Sequence, residues 1–68
     1  MPEVSSTAAA KIIGSNHVTV REHVENGRLP GRRVGLRGVV RIEIDDLREF
    51  AKKYQYRFNE ELAATLAQ

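Results

Sequence analysis

Residues 27–42, GRLPGRRVGLRGVVRI, hold five arginines and four glycines without a single acid. Pro30 keeps Leu29 out of helical geometry, so RLPGRRV is extended. GLRG, residues 35–38, has the glycines of a hairpin loop, and VVRIEI after it alternates with period two. In that alternation Val40, Ile42 and Ile44 share one face, and Val39, Arg41 and Glu43 the other. Arginine alone in such a density reads as a disordered tail. Interleaved with Val34, Val40 and Ile42, it reads as a folded hairpin that presents its charge outward.

Helices are expected on both sides of the hairpin. Ser5 or Ser6 can cap a first helix through TAAAKIIG, where Ala9, Ala10, Ile12 and Ile13 form an apolar stripe and Gly14 supplies the stop. A second helix follows from a cap at Ser15 or Asn16, with Val20 and Val24 one turn apart and Gly27 just past its end. Two short helices joined by a Gly-led turn make a helix-turn-helix in outline. After the hairpin, Asp45 or Asp46 is expected to cap a helix whose inner stripe is Leu47, Phe50, Ala51 and Tyr54. Beyond it, Tyr54, Phe58, Leu62 and Leu66 are spaced by fours, with another candidate cap at Asn59. The chain therefore ends in one long helix or in two with a break near 55–59.

This order gives an α+β expectation: a small winged helix-turn-helix, with a helix-turn-helix, a two-stranded hairpin wing and a C-terminal helix. The expected organisation is a flexible N-terminus over 1–5, one winged helix-turn-helix domain over 6–54 and a helical extension over 55–68. A chain of 68 residues buries a thin core. It has no cysteine, and hence neither disulfides nor a cysteine zinc site to reinforce that core. No run is apolar enough for a membrane span, and MPEVSSTAAAKIIG lacks the basic start and apolar core of a signal peptide. The expected location is the cytoplasm.

Charge is segregated. The formal net charge is only +2, yet residues 28–41 carry Arg28, Arg32, Arg33, Arg37 and Arg41 with no acid among them. The arginine fork suits phosphates and base edges better than lysine does, and a local excess of it points to a polyanion. The second helix leaves a free outer face that suits a DNA groove. Arg21 can fork to guanine or hold a phosphate, while Asn16, His17 and Thr19 sit near the helix N-terminus, where donors meet phosphates or base edges. Glu22 can accept from cytosine N4, and Val18 can touch a thymine methyl. Arg37 stands at the hairpin tip, where it fits a narrow minor groove, with Arg28, Arg32, Arg33 and Arg41 facing flanking phosphates. Neutralising four to six phosphates gives a slope of roughly −4 to −5 in log affinity against log salt.

The pieces AAKIIG, TVR, NGRLPGRRVG, VRI and DDLREF, spread over about residues 8–50, resemble the excisionase-like branch of the MerR-related winged helix-turn-helix DNA-binding family. The GRLPGRRVG block is the most specific of them. The resemblance implies that the second helix enters the major groove, that 32–42 form the wing, and that Thr19, Arg21 and Arg37 are contacts. It further implies double-stranded DNA as ligand, bound at adjacent sites with bending, and an integrase or recombinase as protein partner. A phage-encoded or bacterial nucleoid-associated protein is the implied setting. Ser15, His17 and Val18 depart from the family's usual residues, and they fall on the reading face.

Other classes fit less well. His17 and His23 lie about 240° apart on a helix and cannot share a metal. Asp45 and Asp46 are explained by helix capping, and GLRG lacks the lysine and the strand-to-helix context of a phosphate loop. Neither an enzyme nor a cofactor, metal or small-molecule site is expected. Three alternatives stay open. One is a small MerR-like transcription regulator self-associating through Tyr54, Phe58, Leu62 and Leu66; a second is the DNA-recognition piece of a phage terminase small subunit. The third is a module whose wing docks an acidic protein.

Overall fold

In the computed structural model, which describes residues 3–66, the element order is β1 (Glu3–Ser5), α1 (Ser6–Ile13), α2 (His17–Glu25), β2 (Arg32–Val34), β3 (Val39–Glu43), α3 (Ile44–Lys53) and α4 (Glu60–Leu66). Among the described residues the architecture is α+β, with four helices and one three-stranded antiparallel sheet of order β1-β3-β2. Met1, Pro2, Ala67 and Gln68, at the ends of the two expected flanking segments, lie outside the described residues.

Two helices begin and end on the signals that mark them in the sequence. Ser5 caps α1 by accepting the Ala8 N–H at 3.2 Å, and Gly14 closes it in the left-handed conformation. Asn16 caps α2, its Oδ1 accepting the Thr19 N–H at 2.9 Å. At the other end of α2, Gly27 takes φ +77°, its N–H reaches Val24 O at 3.1 Å, and the Arg28 N–H reaches His23 O at 2.9 Å. This pair of bonds satisfies carbonyls that the helix end leaves open.

The N-terminus departs from expectation. Glu3–Ser5 is not a flexible lead but an edge strand, with Val4 opposite Ile42 and Ser5 opposite Arg41. Strand alternation explains it: Val4 alone turns inward, where it is 1% exposed, while Glu3 and Ser5 face the other way. A three-residue strand is too short to show periodicity in the sequence.

The core forms where these faces meet. Ala9, Ala10, Ile12 and Ile13 of α1, Val20 of α2, Leu29 of the extended lead and Val40 and Ile42 of β3 are all buried. Ile44, Leu47, Phe50 and Ala51 of α3 complete it from the other side. Gly31 lets the lead into β2 pass close to α2, since a Cβ there would stand 3.2 Å from both methyls of Val24.

Further corrections concern β2 and the C-terminal third. β2 is exposed along its whole length, so Val34 is 41% exposed rather than folded inward, and Arg33 stands opposite the buried Val40. α3 starts directly from β3, with Glu43 at the cap position and no side-chain capping bond. Asp45 and Asp46 lie in the first turn, where their charge complements the helix dipole. The reason is packing: Ile44 is needed in the core, so the chain turns helical at once.

At the far end α3 stops at Lys53, and Gln55 adopts φ +61°. Of the two alternatives for the chain's end, the broken one is realised. Asn59 donates its backbone N–H to Ile12 O at 2.9 Å and caps α4 by accepting the Leu62 N–H at 3.0 Å. α4 thus folds back on α1 and buries Ala63. Tyr54, at 40% exposure, leaves the expected inner stripe, whereas Phe58, Leu62 and Leu66 are half-buried against the chain's own core. Arg48 fastens the break, bonding Glu60 at 3.0 and 3.1 Å and Asp45 at 2.9 Å, with its guanidinium 5.1 Å from the Phe58 ring centroid. No helix of the described residues is long and apolar enough to cross a membrane.

Candidate nucleic-acid interface

The outer face of α2 carries what the amphipathic pattern predicts. His17, Val18, Arg21 and Glu22 are exposed, while Val20 is fully buried. Thr19 is half-buried. Asn16 spends its side-chain oxygen on the helix cap, leaving only its amide nitrogen to reach outward. On the inner side, His23 packs edge-on to Phe50 at 4.9 Å between centroids and shares a 3.1 Å hydrogen bond, through Nε2, with the Tyr56 hydroxyl. That contact ties α2 to the segment after α3 and fixes which face turns outward.

The hairpin brings a second cation to this face. Residues 35–38 form its loop, with Gly35 at φ +79° and Gly38 at φ +68° and the Gly38 N–H on Gly35 O at 3.2 Å. Glycine tolerates both angles without the Cβ clash other residues incur. The loop therefore exposes only two side chains, Leu36 and Arg37. Arg37 joins His17 and Arg21 in lining one surface depression of about 250 Å³, whose floor includes Ser6, Thr7 and Val40. Arg21 also borders the adjoining hollow with Val18, Glu22 and Glu25. Neither Arg21 nor Arg37 takes part in an ion pair among the described residues. A helix and a loop tip thus place two guanidinium groups on one face, neither ion-paired among the described residues, with Glu22 and Glu25 beside Arg21.

The remaining arginines expected at the interface are placed differently. Arg32 and Arg41 stand opposite each other on the sheet face turned away from the core. Arg32 forks onto Glu3 at 2.7 and 3.1 Å, and Arg41 comes within 3.9 Å of the same carboxylate. Arg33 pairs with Glu25 at 2.9 Å. Arg28 lines a larger depression of about 430 Å³ with Lys52 and Lys53, which shares Pro30 and Asp46 with the hollow beside Arg32 and Arg41. Asp46 and Glu49 border that depression too, so its charge is mixed.

These pairings have electrostatic consequences. The hydrogen bond from Arg32 holds the Glu3 carboxyl below its usual 4.5, against a smaller opposing effect of desolvation, with the charges of Arg32 and Arg41 helping. Glu60 is lowered in the same way, first by its hydrogen bond from Arg48. A carboxyl depressed in the folded state stabilises the fold above its unfolded pKa, and loses that contribution as pH falls through the folded value. Melting curves recorded between about pH 7 and pH 3 should therefore fall less steeply below pH 4.5 for Glu3→Gln/Glu60→Gln than for the wild type.

A phosphate must displace these carboxylates to reach Arg32 or Arg33, so each offers a polyanion less than a free guanidinium does. The sequence could not show these pairings, because Glu3 and Arg32 lie 29 residues apart. It also left Leu36 unnoticed. With relative exposure of 108%, Leu36 exceeds Val18, Val34, Val39 and Tyr54, the other large apolar residues left exposed.

Compared with protein-family models, curated proteins and solved structures, the chain matches none of them.

Proposed function

We propose that the chain is a sequence-specific double-stranded DNA-binding protein of winged helix-turn-helix type, with α2 as the recognition helix and the β2–β3 hairpin as the wing. The observation that carries this reading is the shared depression lined by Arg21 and Arg37, both without an ion-pair partner among the described residues. α2 has nine residues, and an α-helix about 10–12 Å across with its side chains fits a major groove about 12 Å wide. Arg21 then forks to guanine or holds a phosphate, and His17 and the Asn16 amide donate at the helix start. Glu22 accepts from cytosine and Val18 meets a thymine methyl. Arg37 enters the adjacent minor groove, drawn by its negative potential.

The ion pairs revise the salt dependence. With Arg32, Arg33 and Arg41 facing carboxylates of the chain and Arg28 lining a different depression from Arg21 and Arg37, the slope falls from the sequence-based −4 to −5 to roughly −2 to −3. Glu3→Gln frees Arg32 and Arg41 for phosphates. Its expected effect is an affinity gain of about two- to fivefold at low salt and a slope steeper by about 2. Fluorescence anisotropy on a labelled duplex over a salt series measures both.

An excisionase-type role, with an integrase or recombinase on the same DNA, is the biological setting this reading favours. One domain covers few base pairs, so useful affinity comes from adjacent copies or a partner bound alongside. The intramolecular packing of Phe58, Leu62 and Leu66 speaks against the regulator that dimerises through its C-terminal stripe. Footprinting on DNA around the protein's own reading frame tests the proposal. Several adjacent protected sites support the excisionase-type reading, a single two-fold site supports a regulator, and no protection rejects DNA binding there.

A further inference from the structure

We propose that Leu36 is a minor-groove wedge, an apolar side chain that enters a base step and unstacks it while Arg37 holds the groove. The inference rests on the DNA-binding reading above and assigns a role to a residue that reading does not use. Leu36 projects clear of the molecule, with relative exposure of 108%. It stands beside Arg37 in a loop whose flanking residues are glycines at positive φ, so no other side chain widens the tip. Behind it, Val34 and Val39 stand opposite each other and are 41% and 47% exposed, making the end of the hairpin apolar as well as cationic.

That combination narrows the occupant. A hairpin tip that met only phosphates would gain nothing from an exposed leucine, and scattered polar residues would serve as well. Proteins that kink DNA from the minor groove set leucine, isoleucine, phenylalanine or methionine between base pairs, with arginine or lysine beside them in the groove. Arg37 shares a depression with Arg21, so the tip lies on the same side as the outer face of α2 and is carried toward the duplex that α2 engages. The wedge favours steps that unstack readily, TA and CA above all, which adds sequence preference without a hydrogen bond to any base edge.

The test uses the whole protein and a duplex of about 20 base pairs with 2-aminopurine beside a central TA step and a dye at each end. Wild-type protein should raise 2-aminopurine fluorescence several-fold and shorten the end-to-end distance. Leu36→Ala should bind within about fivefold of wild type yet lose both signals, and Leu36→Met should restore them. Since Leu36 contacts no core residue, circular dichroism melts of the three proteins should coincide. A Leu36→Ala complex with unchanged fluorescence and distance overturns the wedge while leaving DNA binding intact. A wild-type complex that neither unstacks nor bends does the same, and so does a Leu36 effect seen only on sedimentation with phosphatidylglycerol vesicles. Failure of wild-type protein to bind any duplex rejects the wedge together with the reading beneath it.

Discussion

Arg21→Ala/Arg37→Ala is expected to bind duplex DNA about 100- to 1000-fold more weakly than the wild type. Each guanidinium makes charge-assisted contacts of about 1–3 kcal/mol in such a complex, and 1.4 kcal/mol corresponds to a tenfold change. The two belong to different elements, α2 and the hairpin loop, yet line one depression, so their loss removes both anchors of a single surface. Neither is ion-paired among the described residues, so truncation should leave the thermal midpoint nearly unchanged. The control is Lys52→Ala/Lys53→Ala, which removes as much charge from the depression that also holds Asp46 and Glu49. Anisotropy titrations should show a loss of only a few fold for the control. Equal losses for both variants would mean that net charge, and not a located surface, drives binding.

Leu47→Ala is the other substitution with a large expected effect, here on the fold. Leu47 is fully buried in the middle of α3, within the cluster that includes Ile12, Val20 and Ile42. Truncating a buried leucine costs about 2–5 kcal/mol, through lost transfer energy and the cavity left behind. A chain of 68 residues has roughly 3–10 kcal/mol of total stability, so the variant loses a large share of it. The thermal midpoint should fall by more than about 10 °C. DNA in excess should recover part of the loss, because a ligand that binds only the folded state stabilises it by mass action. A shift of only a few degrees would show that Leu47 is not held in a packed core.

The sequence made α1 and α2 legible because their ends carry local chemistry: the Ser5 and Asn16 side chains at the starts, and Gly14 and Gly27 past the ends. β3 was legible from its alternation. β1 was not, since a single inward residue, Val4, shows no period, and its pairing with β3 spans almost forty residues of chain. The start of α3 is set by the demand of the core for Ile44 and not by a capping side chain, so a boundary drawn from the neighbouring aspartates falls two or three residues late. The break at 54–59 stayed open because the apolar spacing by fours continues straight through it. Tertiary contacts decide it, among them the return of Asn59 onto Ile12 and Arg48 onto Glu60.

The candidate site divides along similar lines. That Arg21 and Arg37 share one side is an expectation of the winged-helix order, and in the structure both line one depression. The loss of Arg32, Arg33 and Arg41 to in-chain carboxylates depends on Glu3 entering the sheet and on Glu25 lying beside β2. Both are tertiary facts. Arginine density in the sequence therefore overstates the charge free to meet a phosphate, and the carboxylates that restrain it sit far off in the chain.

The most direct test of a single duplex-facing surface is an amide chemical-shift titration of the ¹⁵N-labelled protein with a short DNA duplex. Residues 16–22 of the α2 start and 35–39 of the hairpin loop should shift together along one binding curve, with α4 and the 52–53 segment unmoved. Shifts centred on Arg28, Lys52 and Lys53, or movement of α2 without the hairpin loop, would contradict it.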